Sequence, residues 1–378
     1  MNNKLNIGII IGGKSVEHDI SILSGLQVYH ALNKDKYNPI IFYLTRKNEW
    51  LVGNELQNLI TYKTNNFSKC NKIYLYQEND KVYYQVINKK RKPKEVDVFI
   101  PVLHGDGTED GTVSAFLDLL NAPYTSSSLT SSSIAQDKIY TKQILQAENI
   151  PTLPFVKMTC DTCYSKALQE INEKINYPVI IKPARLGSSI GITTAIDEDS
   201  LRKGVEEGLK FGSRLLIEPK LTDFREYNLA LYKEGNSIKY SCIEEVKKID
   251  DILSFTDKYE RIDKLDDSSN RIIPAIISDE MEQNIKDICT KAYYALDMKG
   301  VVRIDCILDV TTNNIYINEI NTIPGSFAFY LFDKAGISFP KLIDIVIKQA
   351  ILSKQANEQY LKVFSSSVLS RKGTKLTK

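Results

Sequence analysis

Three side chains with oxygen donors, Asp305, Glu319 and Asn321, lie in or directly after two short apolar segments near the C-terminal end of the chain. The segments, residues 301–308 and 315–320, flank a polar turn, a pattern that is typical of a β-hairpin. Side chains alternate along a strand, so Glu319 and Asn321 share one face. Mg²⁺ prefers such oxygen ligands, and the hairpin is therefore a candidate cation site. The alternative is a hairpin whose acidic residues face solvent.

A second candidate site begins at Lys182, where the sequence KPARLGSSIG follows an apolar segment at residues 177–181. Small residues allow backbone N–H groups to approach phosphate oxygens, and Ser188 and Ser189 add hydroxyl donors. Lys182 supplies a point charge for a phosphate. Because the lysine precedes the glycines, the segment is not a Walker A motif. A plain turn is the alternative.

Three further charged residues lie near predicted element ends. Lys138 opens a helix, Glu218 ends a strand, and Glu226 follows Glu218 closely. Backbone groups near Glu218 could bind an adenine ring, and Glu226 could accept hydrogen bonds from ribose hydroxyls. Considered alone, Lys138 would be interpreted as a surface lysine, and a solvated carboxylate is the default interpretation of Glu218 and of Glu226.

Two polar loops, at Glu17 and at His104, follow neighbouring apolar segments. We expect both loops to face one cleft. No cysteine lies near His104, so hydrogen bonds to a small polar substrate are favoured over zinc binding. Glu17 could hold a substrate ammonium group.

These side chains must be positioned by alternating strands and helices. The sequence predicts a strand at residues 5–11, a helix at 19–32, and further strands at 38–44 and 96–103, with an inserted hairpin between residues 60 and 95. Strand, glycine turn, helix and strand in this order indicate a parallel α/β sheet, which binds ligands at the carboxyl ends of its strands.

The serine-rich segment 126–133 leads into a helical segment and is interpreted as a domain boundary. We predict an N-terminal α/β substrate-binding domain at residues 1–135, a central domain at 136–225, a C-terminal catalytic domain at 226–364 and a frayed tail at 365–378. The later domains are expected to contain strands at 179–182 and 215–218 and helices at 280–296 and 341–354.

Composition excludes several classes. The formal net charge of the 378 residues is +2, which does not indicate nucleic-acid binding. No apolar segment approaches the roughly 18 residues of a membrane span, and the N-terminus lacks a signal-peptide pattern. The scattered cysteines include one lone C-x-x-C pair, Cys160 and Cys163, interpreted as reduced thiols. Free thiols without an export signal predict a cytoplasmic protein.

Together these segments resemble the D-alanine–D-alanine ligases of the ATP-grasp superfamily, over roughly residues 5–352. The motifs occur in the order of that family: GGKSVEHDISILSG from Gly12, HGDGTEDG from His104, QDKIYTK from Gln136, KPARLGSSIGI from Lys182, TDKYE from Thr256, RIDCILD from Arg303 and NEINTIPG from Asn318. The resemblance implies an α/β, three-domain ATP-grasp architecture with a parallel-sheet N-terminal domain and ATP bound between the central and C-terminal domains.

The resemblance also implies a reaction. A D-alanine carboxylate attacks the γ-phosphate of ATP, and the amine of a second D-alanine attacks the resulting acyl phosphate. The products are ADP, phosphate and the dipeptide, a peptidoglycan building block. Two Mg²⁺ ions are expected, with Mn²⁺ as an alternative, and a homodimer is expected.

Residue roles follow from the matched motifs. The ATP site would contain Lys138, Lys182, Ser189, Glu218, Glu226 and Lys258, and the metal ligands would be Asp305, Glu319 and Asn321. Arg303 and the backbone N–H of Gly325 would hold the oxyanion of the tetrahedral intermediate. Glu17 would bind the first ammonium group, with His104 as a further first-substrate contact. Ser188 and Tyr259 would join Glu17 in fixing a lid at about residues 248–261.

One segment departs from the family pattern. The family usually has a serine followed by leucine or methionine about five residues beyond Gly325, whereas this chain has Tyr330 there. Ser326 or Tyr330 could take over the second substrate's carboxylate, and the pocket would have a different shape. Tyr259 favours a dipeptide over a D-lactate ester.

These features leave two alternatives to the dipeptide ligase. One is a related ligase with another second substrate, such as D-serine. The other is a non-catalytic ATP-binding regulator, which would be expected to lack a phosphate lysine or a metal ligand. A dehydrogenase is disfavoured, since Gly12 and Gly13 lack the spacing G-x-G-x-x-G.

Overall fold

Three β-sheets and their covering helices make up the part of the chain that this computed structural model describes, residues 4–161, 164–247, 271–360 and 366. The strands are β1 Leu5–Gly12, β2 Tyr37–Leu44, β3 Trp50–Val52, β4 Asn71–Glu78, β5 Lys81–Val86, β6 Lys94–Val96, β7 Val98–Val102, β8 Val156–Thr159, β9 Val179–Pro183, β10 Thr193–Ala195, β11 Arg214–Pro219, β12 Phe224–Glu234, β13 Ser237–Val246, β14 Arg271–Ile272, β15 Val302–Asp309 and β16 Asn314–Asn321. The α-helices are α1 His18–Ala31, α2 Leu59–Lys63, α3 Thr112–Leu119, α4 Leu129–Gln136, α5 Lys138–Ala147, α6 Tyr164–Lys174, α7 Glu198–Gly208, α8 Asp279–Ala295, α9 Phe329–Lys334 and α10 Phe339–Glu358. Short 3₁₀ turns span Asn54–Gln57 and Gly325–Ala328.

The first sheet is mixed, with the order β6-β5-β4-β3-β2-β1-β7. Strand β1 pairs in parallel with β2 and β7, as the predicted α/β pattern requires, and it is apolar because both of its faces are buried. The predicted strand at 96–103 is divided at Asp97. That carboxylate accepts a hydrogen bond of 2.7 Å from the backbone N–H of Asn6. Strand β6, before Asp97, pairs with β5, whereas β7, after it, pairs with β1.

The second sheet, β10-β9-β11-β8, is antiparallel. Helices α6 and α7 supply Ala167, Ile171, Leu201 and Val205 to the core beneath it. Strand β9 ends at Pro183, so the sheet delivers Lys182 and the following loop to its edge.

The third sheet, β14-β13-β12-β15-β16, is also antiparallel. Helix α8 covers one of its faces, on which Tyr227, Leu229, Ile304, Cys306 and Ile317 are buried. Alternation therefore leaves the residues between them on the opposite face.

The C-terminal helices return to the first sheet. Leu342 and Val346 of α10 and Phe332 of α9 share one core with Ile9 and Val102. This packing fixes the Gly325–Ala328 turn over α1, where the Ser326 hydroxyl donates a hydrogen bond to the side-chain oxygen of Gln27.

Two other predictions concern local features. The serine-rich segment begins helix α4, which Ser128 caps by accepting a hydrogen bond of 3.2 Å from the N–H of Ser131. Cys160 is a free, exposed thiol, and Cys163 lies outside the described residues. Within the described residues, no helix is long and apolar enough to cross a membrane.

Candidate active site

The loops at the ends of β1 and β7 meet, as the sequence predicts. A Cβ atom on Gly105 would lie 2.7 Å from Oε2 of Glu17, and the backbone there has φ = +81°, so glycine permits both the conformation and the close approach. His104 is buried, with Nε2 3.2 Å from Oγ of Ser24. Burial lowers the pKa of His104, which favours a neutral imidazole.

The loop after β9 extends over Glu17. The hydroxyl of Ser188 donates a hydrogen bond to the Glu17 carboxylate, and Ser188 and Ser189 both adopt positive φ. Arg185 pairs with Asp106 at 2.7 Å and with Asp110 at 2.8 Å. The loop after β9 is therefore in contact with both the Glu17 loop and the His104 loop. Tyr259 and Lys258 lie outside the described residues.

A buried charge cluster supports Lys182. Glu218 is fully buried and pairs with Lys142 and, at 2.7 Å, with Nζ of Lys182. Although burial opposes the charged form, the two ammonium groups lower the pKa of Glu218 to about 2. The expectation that Glu218 could be an ordinary solvated carboxylate is wrong, because its side chain is held between two lysines.

Lys138, at the start of α5, contacts the loop after β9. Its backbone N–H bonds to the carbonyl oxygen of Ala184 at 2.9 Å, and its ammonium group donates to the carbonyl oxygen of Leu186 at 2.6 Å. Nζ of Lys138 also lies 3.7 Å from Oε2 of Glu319. Lys138 is thus turned inward rather than solvated.

The predicted hairpin is present as β15 and β16. Asp305 pairs with Glu319 across the hairpin, and Cys306 pairs with Ile317, so a β-bulge accommodates the extra residue Asn318. The amide oxygen of Asn318 lies 3.2 Å from Nζ of Lys182. The bulge brings Asn318 and Glu319 to the two lysines.

Arg303 and Asn321 bind the Asp305 carboxylate. Arg303 donates two hydrogen bonds of 2.7 Å to Asp305, and the Asn321 amide donates one of 3.1 Å. Among the described residues, no group of three His, Cys, Asp or Glu side chains is arranged to hold a metal ion. A cation bound by Asp305 and Glu319 would therefore also need oxygens from Asn321 and from a ligand.

A row of polar residues crosses the open face of the third sheet. Glu319 pairs with Asp305, Asp305 with Asn228, and Asn228 with Glu244. Directly paired residues project to the same face, so the four side chains extend from the hairpin towards the sheet edge. Glu226 is two residues from Asn228 and shares that face.

The outer end of this row is a cluster around Glu244, whose side chain is 1% exposed. Glu244 accepts hydrogen bonds from Asn228 at 2.8 Å, from the Tyr330 hydroxyl at 3.0 Å and from Arg271 at 3.2 Å. The Arg271 guanidinium lies 5.5 Å from the centre of the Tyr330 ring. Tyr330, where the sequence departs from the family pattern, is therefore bound to an acidic residue.

Glu109 connects two loops that are distant in sequence. It accepts hydrogen bonds from the backbone N–H groups of Ile323, at 3.0 Å, and Gly105, at 3.2 Å. Burial, together with the nearby charge of Glu17, raises the pKa of Glu109 to about 7. The contact fixes the chain before Gly325 against the His104 loop.

Sequence reasoning missed several of these residues. Lys142 lies one helical turn beyond Lys138, and this spacing would have placed both on one face of α5. Glu109 lies inside the motif that begins at His104, but the sequence alone indicates no function for it. The three partners of Glu244 come from three different elements, β12, β14 and α9, and no local pattern indicates them.

Family models account for most of the chain. A model of the D-ala D-ala ligase N-terminus matches residues 6–127, and one of the C-terminus matches residues 144–348. The chain belongs to the D-alanine–D-alanine ligase family. It is accordingly an ATP-dependent ligase.

Individual relatives agree with this assignment. The chain is 36% identical to a D-alanine–D-alanine ligase from Thermosipho africanus, over 92% of this chain and 93% of the relative. It is 34% identical to the Macrococcus caseolyticus ligase, over 92% and 95%.

Solved structures share the fold. A D-alanine–D-alanine ligase from Coxiella burnetii superposes with a TM-score of 0.80 at 24% identity, covering 94% of this chain and 96% of that chain. The VanG D-Ala:D-Ser ligase from Enterococcus faecalis gives 0.78 at 25% identity, covering 92% and 100%. The predicted α/β ATP-grasp architecture is confirmed.

Proposed function

We propose that this protein joins two D-alanine molecules with ATP, forming D-alanyl-D-alanine through an acyl phosphate for peptidoglycan synthesis. The observation that carries the proposal is the convergence of Lys138 and Lys182 on Asn318 and Glu319, beside the Glu17 and His104 loops. Two cations, a carboxylate, an amide oxygen and a polar substrate pocket in one cleft suit phosphoryl transfer to a carboxylate. Relatives named as D-alanine–D-alanine ligases support the substrate.

The nucleotide would lie against the second sheet. Lys138 and Lys182 would contact its phosphates, and Ser189 would add a donor from the loop after β9. Glu218 and Lys142 would hold Lys182 in place, since both are buried. The chain near Glu218 would receive the adenine, Glu226 the ribose, and Lys258 a further ATP contact.

The hairpin residues fit Mg²⁺. Asp305 and Glu319 are cross-strand neighbours, and Asn321 lies on the same face. Two carboxylates and an amide oxygen are hard donors that leave positions for phosphate and water. When bound, Mg²⁺ (one or two ions, with Mn²⁺ as an alternative) would supply positive charge for the transferring phosphoryl group.

The remaining residues would handle the first substrate. Glu17 would pair with its ammonium group and His104 would contact it. Arg303 and the N–H of Gly325 would bind the oxygen that becomes negative when the acceptor amine attacks. Ser188, Glu17 and Tyr259 would hold the lid that excludes water from the acyl phosphate.

The non-catalytic alternative is weakened, because Lys138, Lys182, Asp305, Glu319 and Asn321 are all retained and grouped in one cleft.

We further propose a cytoplasmic homodimer. The described cysteines are free thiols, which agrees with a reducing compartment. The predicted domain boundaries at 135 and 225 are retained as part of the proposal.

The test is ADP release with ATP, Mg²⁺ and D-alanine, with products identified by mass spectrometry. Dipeptide from D-alanine alone is expected, and ADP without dipeptide would point to another acceptor, such as D-serine. We expect Glu319→Gln to abolish phosphoryl transfer while the circular dichroism spectrum is unchanged. Near-normal activity of that variant would refute the hairpin as the metal site.

A further inference from the structure

The second substrate needs a cation for its carboxylate, and Tyr330 is poorly suited to bind that carboxylate through its hydroxyl. A tyrosine has one O–H donor, and Tyr330 directs it to Glu244 at 3.0 Å. The hydroxyl oxygen then presents lone pairs, which repel a carboxylate. Ser326 is directed away in the same manner, since its hydroxyl donates to Gln27.

Arg271 is better positioned than Tyr330 or Ser326 to bind the carboxylate of the second substrate. It begins β14, pairs with Val246 and lies on the same face as Glu244, two residues earlier on β13. Its bond of 3.2 Å to Glu244 uses one of the five guanidinium N–H donors. The Arg271 side chain is 44% exposed, so the rest of the guanidinium is accessible to solvent.

The distance of Glu244 from Asp305 along the polar row fits a bound second substrate. Glu244 is two strands from Asp305, and strands are about 4.8 Å apart, which gives about 10 Å between their backbones. That span is comparable with an acyl phosphate followed by one small amino acid. Tyr330 is close to Arg271, whose guanidinium lies 5.5 Å from the centre of its ring, and the charge of Arg303 also acts on its hydroxyl.

Arg303 is less available for this purpose. Its guanidinium is committed to Asp305 through two bonds of 2.7 Å, and it would also face the oxyanion. A second cation farther along the row separates the two negative charges that the reaction brings together, the oxyanion and the acceptor carboxylate.

We propose that Arg271, held by Glu244, binds the carboxylate of the second substrate, with the Tyr330 ring as the wall between it and Arg303. The proposal rests on the proposed function. In the step served, the acceptor nitrogen forms a bond to the acyl carbon, the bond from that carbon to the phosphate oxygen breaks, and the amine loses a proton as phosphate leaves.

The test compares two nucleophiles. D-Alanine carries a carboxylate, whereas hydroxylamine has none and traps the acyl phosphate as a hydroxamate. We expect Arg271→Met to raise the KM for the second D-alanine roughly 10- to 100-fold, with kcat and the hydroxamate rate nearly unchanged. Arg271→Lys keeps the charge without the planar fork and should fall between Arg271→Met and the wild type.

The matched control is Arg225→Met. Arg225 pairs with Glu245 at 3.7 Å, and Glu245 adjoins Glu244 but faces the opposite side of the sheet. This variant removes an exposed arginine from the same sheet and should retain both activities.

The proposal is overturned if Arg271→Met leaves the KM for the second D-alanine unchanged. It is also overturned if Arg271→Met and Arg271→Lys lose dipeptide and hydroxamate in parallel, because Arg271 would then only stabilise the sheet edge. Failure of the proposed function looks different: the wild-type protein would form no dipeptide from D-alanine.

Discussion

Glu218 and Glu109 are both buried carboxylates, and their surroundings shift the pKa in opposite directions. Glu218, at the nucleotide end, lies between two lysines, and its pKa is lowered to about 2. Glu109, at the substrate end, accepts bonds from two backbone N–H groups, and its pKa is raised to about 7. The cost of burying Glu218 is offset by two adjacent ammonium groups, and that of burying Glu109 by a bound proton.

The difference indicates what each region does. The ion pair with Glu218 keeps the Lys182 side chain oriented. Glu109, a carboxyl group with a pKa near neutrality, joins two loops through its backbone hydrogen bonds. Perturbing each carboxylate should therefore have a distinct signature.

The largest effect is expected for Glu218→Leu. The change leaves Lys142 and Lys182 without their shared partner inside the protein, and breaking a buried pair in this way costs about 3–5 kcal/mol of unfolding free energy. Urea denaturation measures it. Glu207→Gln, which removes the partner of Lys210 on the surface, should cost less than about 1 kcal/mol. Equal losses of unfolding free energy in the two variants would show that the buried cluster stabilises the protein no more than a surface ion pair does.

The next effect is the dependence of stability on pH. Glu109 has a pKa of about 7 when folded against 4.5 as the reference, so the folded state binds the proton more tightly. Its contribution is fully present below pH 4.5 and is lost as pH rises to 7, by about 3 kcal/mol. Glu218 behaves oppositely: its contribution is present above pH 4.5 and is lost as pH falls towards 2.

Urea unfolding from pH 4 to pH 8 tests this difference. The wild-type curve should contain a decline between pH 4.5 and 7 that Glu109→Gln removes and Glu218→Leu retains. A decline that persists unchanged in Glu109→Gln would show that the proton is held elsewhere.

The smallest effect is that of Glu109→Gln on catalysis. Glutamine has one oxygen acceptor, so one of the two bonds, to Ile323 or to Gly105, becomes a contact between donors. Losing it should lower kcat/KM by roughly tenfold above pH 8. Glu95→Gln, which changes an exposed partner of Lys81, should have no effect. An unchanged rate in Glu109→Gln would mean that the loop before Gly325 is positioned by other contacts.

Local patterns predicted the elements and the family, and long-range contacts account for what they missed. The hairpin follows from alternation around a turn, and β1 follows from its apolar residues. The bulge at Asn318 could not be predicted, since it depends on pairing with β15. Alternation continued from Ile315 and Ile317 would have placed Glu319 in the core.

The cluster around Glu218 could not be predicted from local patterns either. Glu218 and Lys142 lie in different segments, and only the folded chain brings them together. The departure at Tyr330 was visible in the sequence, whereas its partner Glu244 is on another strand. The sequence therefore identifies Tyr330 as unusual but does not indicate which residues it contacts.

The row from Glu319 to Glu244 has a consequence for how such an enzyme can change. Its inner residues, on β15 and β16, belong to the proposed phosphoryl-transfer centre, and its outer contacts come from β13, β14 and α9. Substitutions at the sheet edge can therefore alter the accepted nucleophile while the activation half-reaction stays intact. New acceptors would be obtained most easily by varying residues 244, 271 and 330 together.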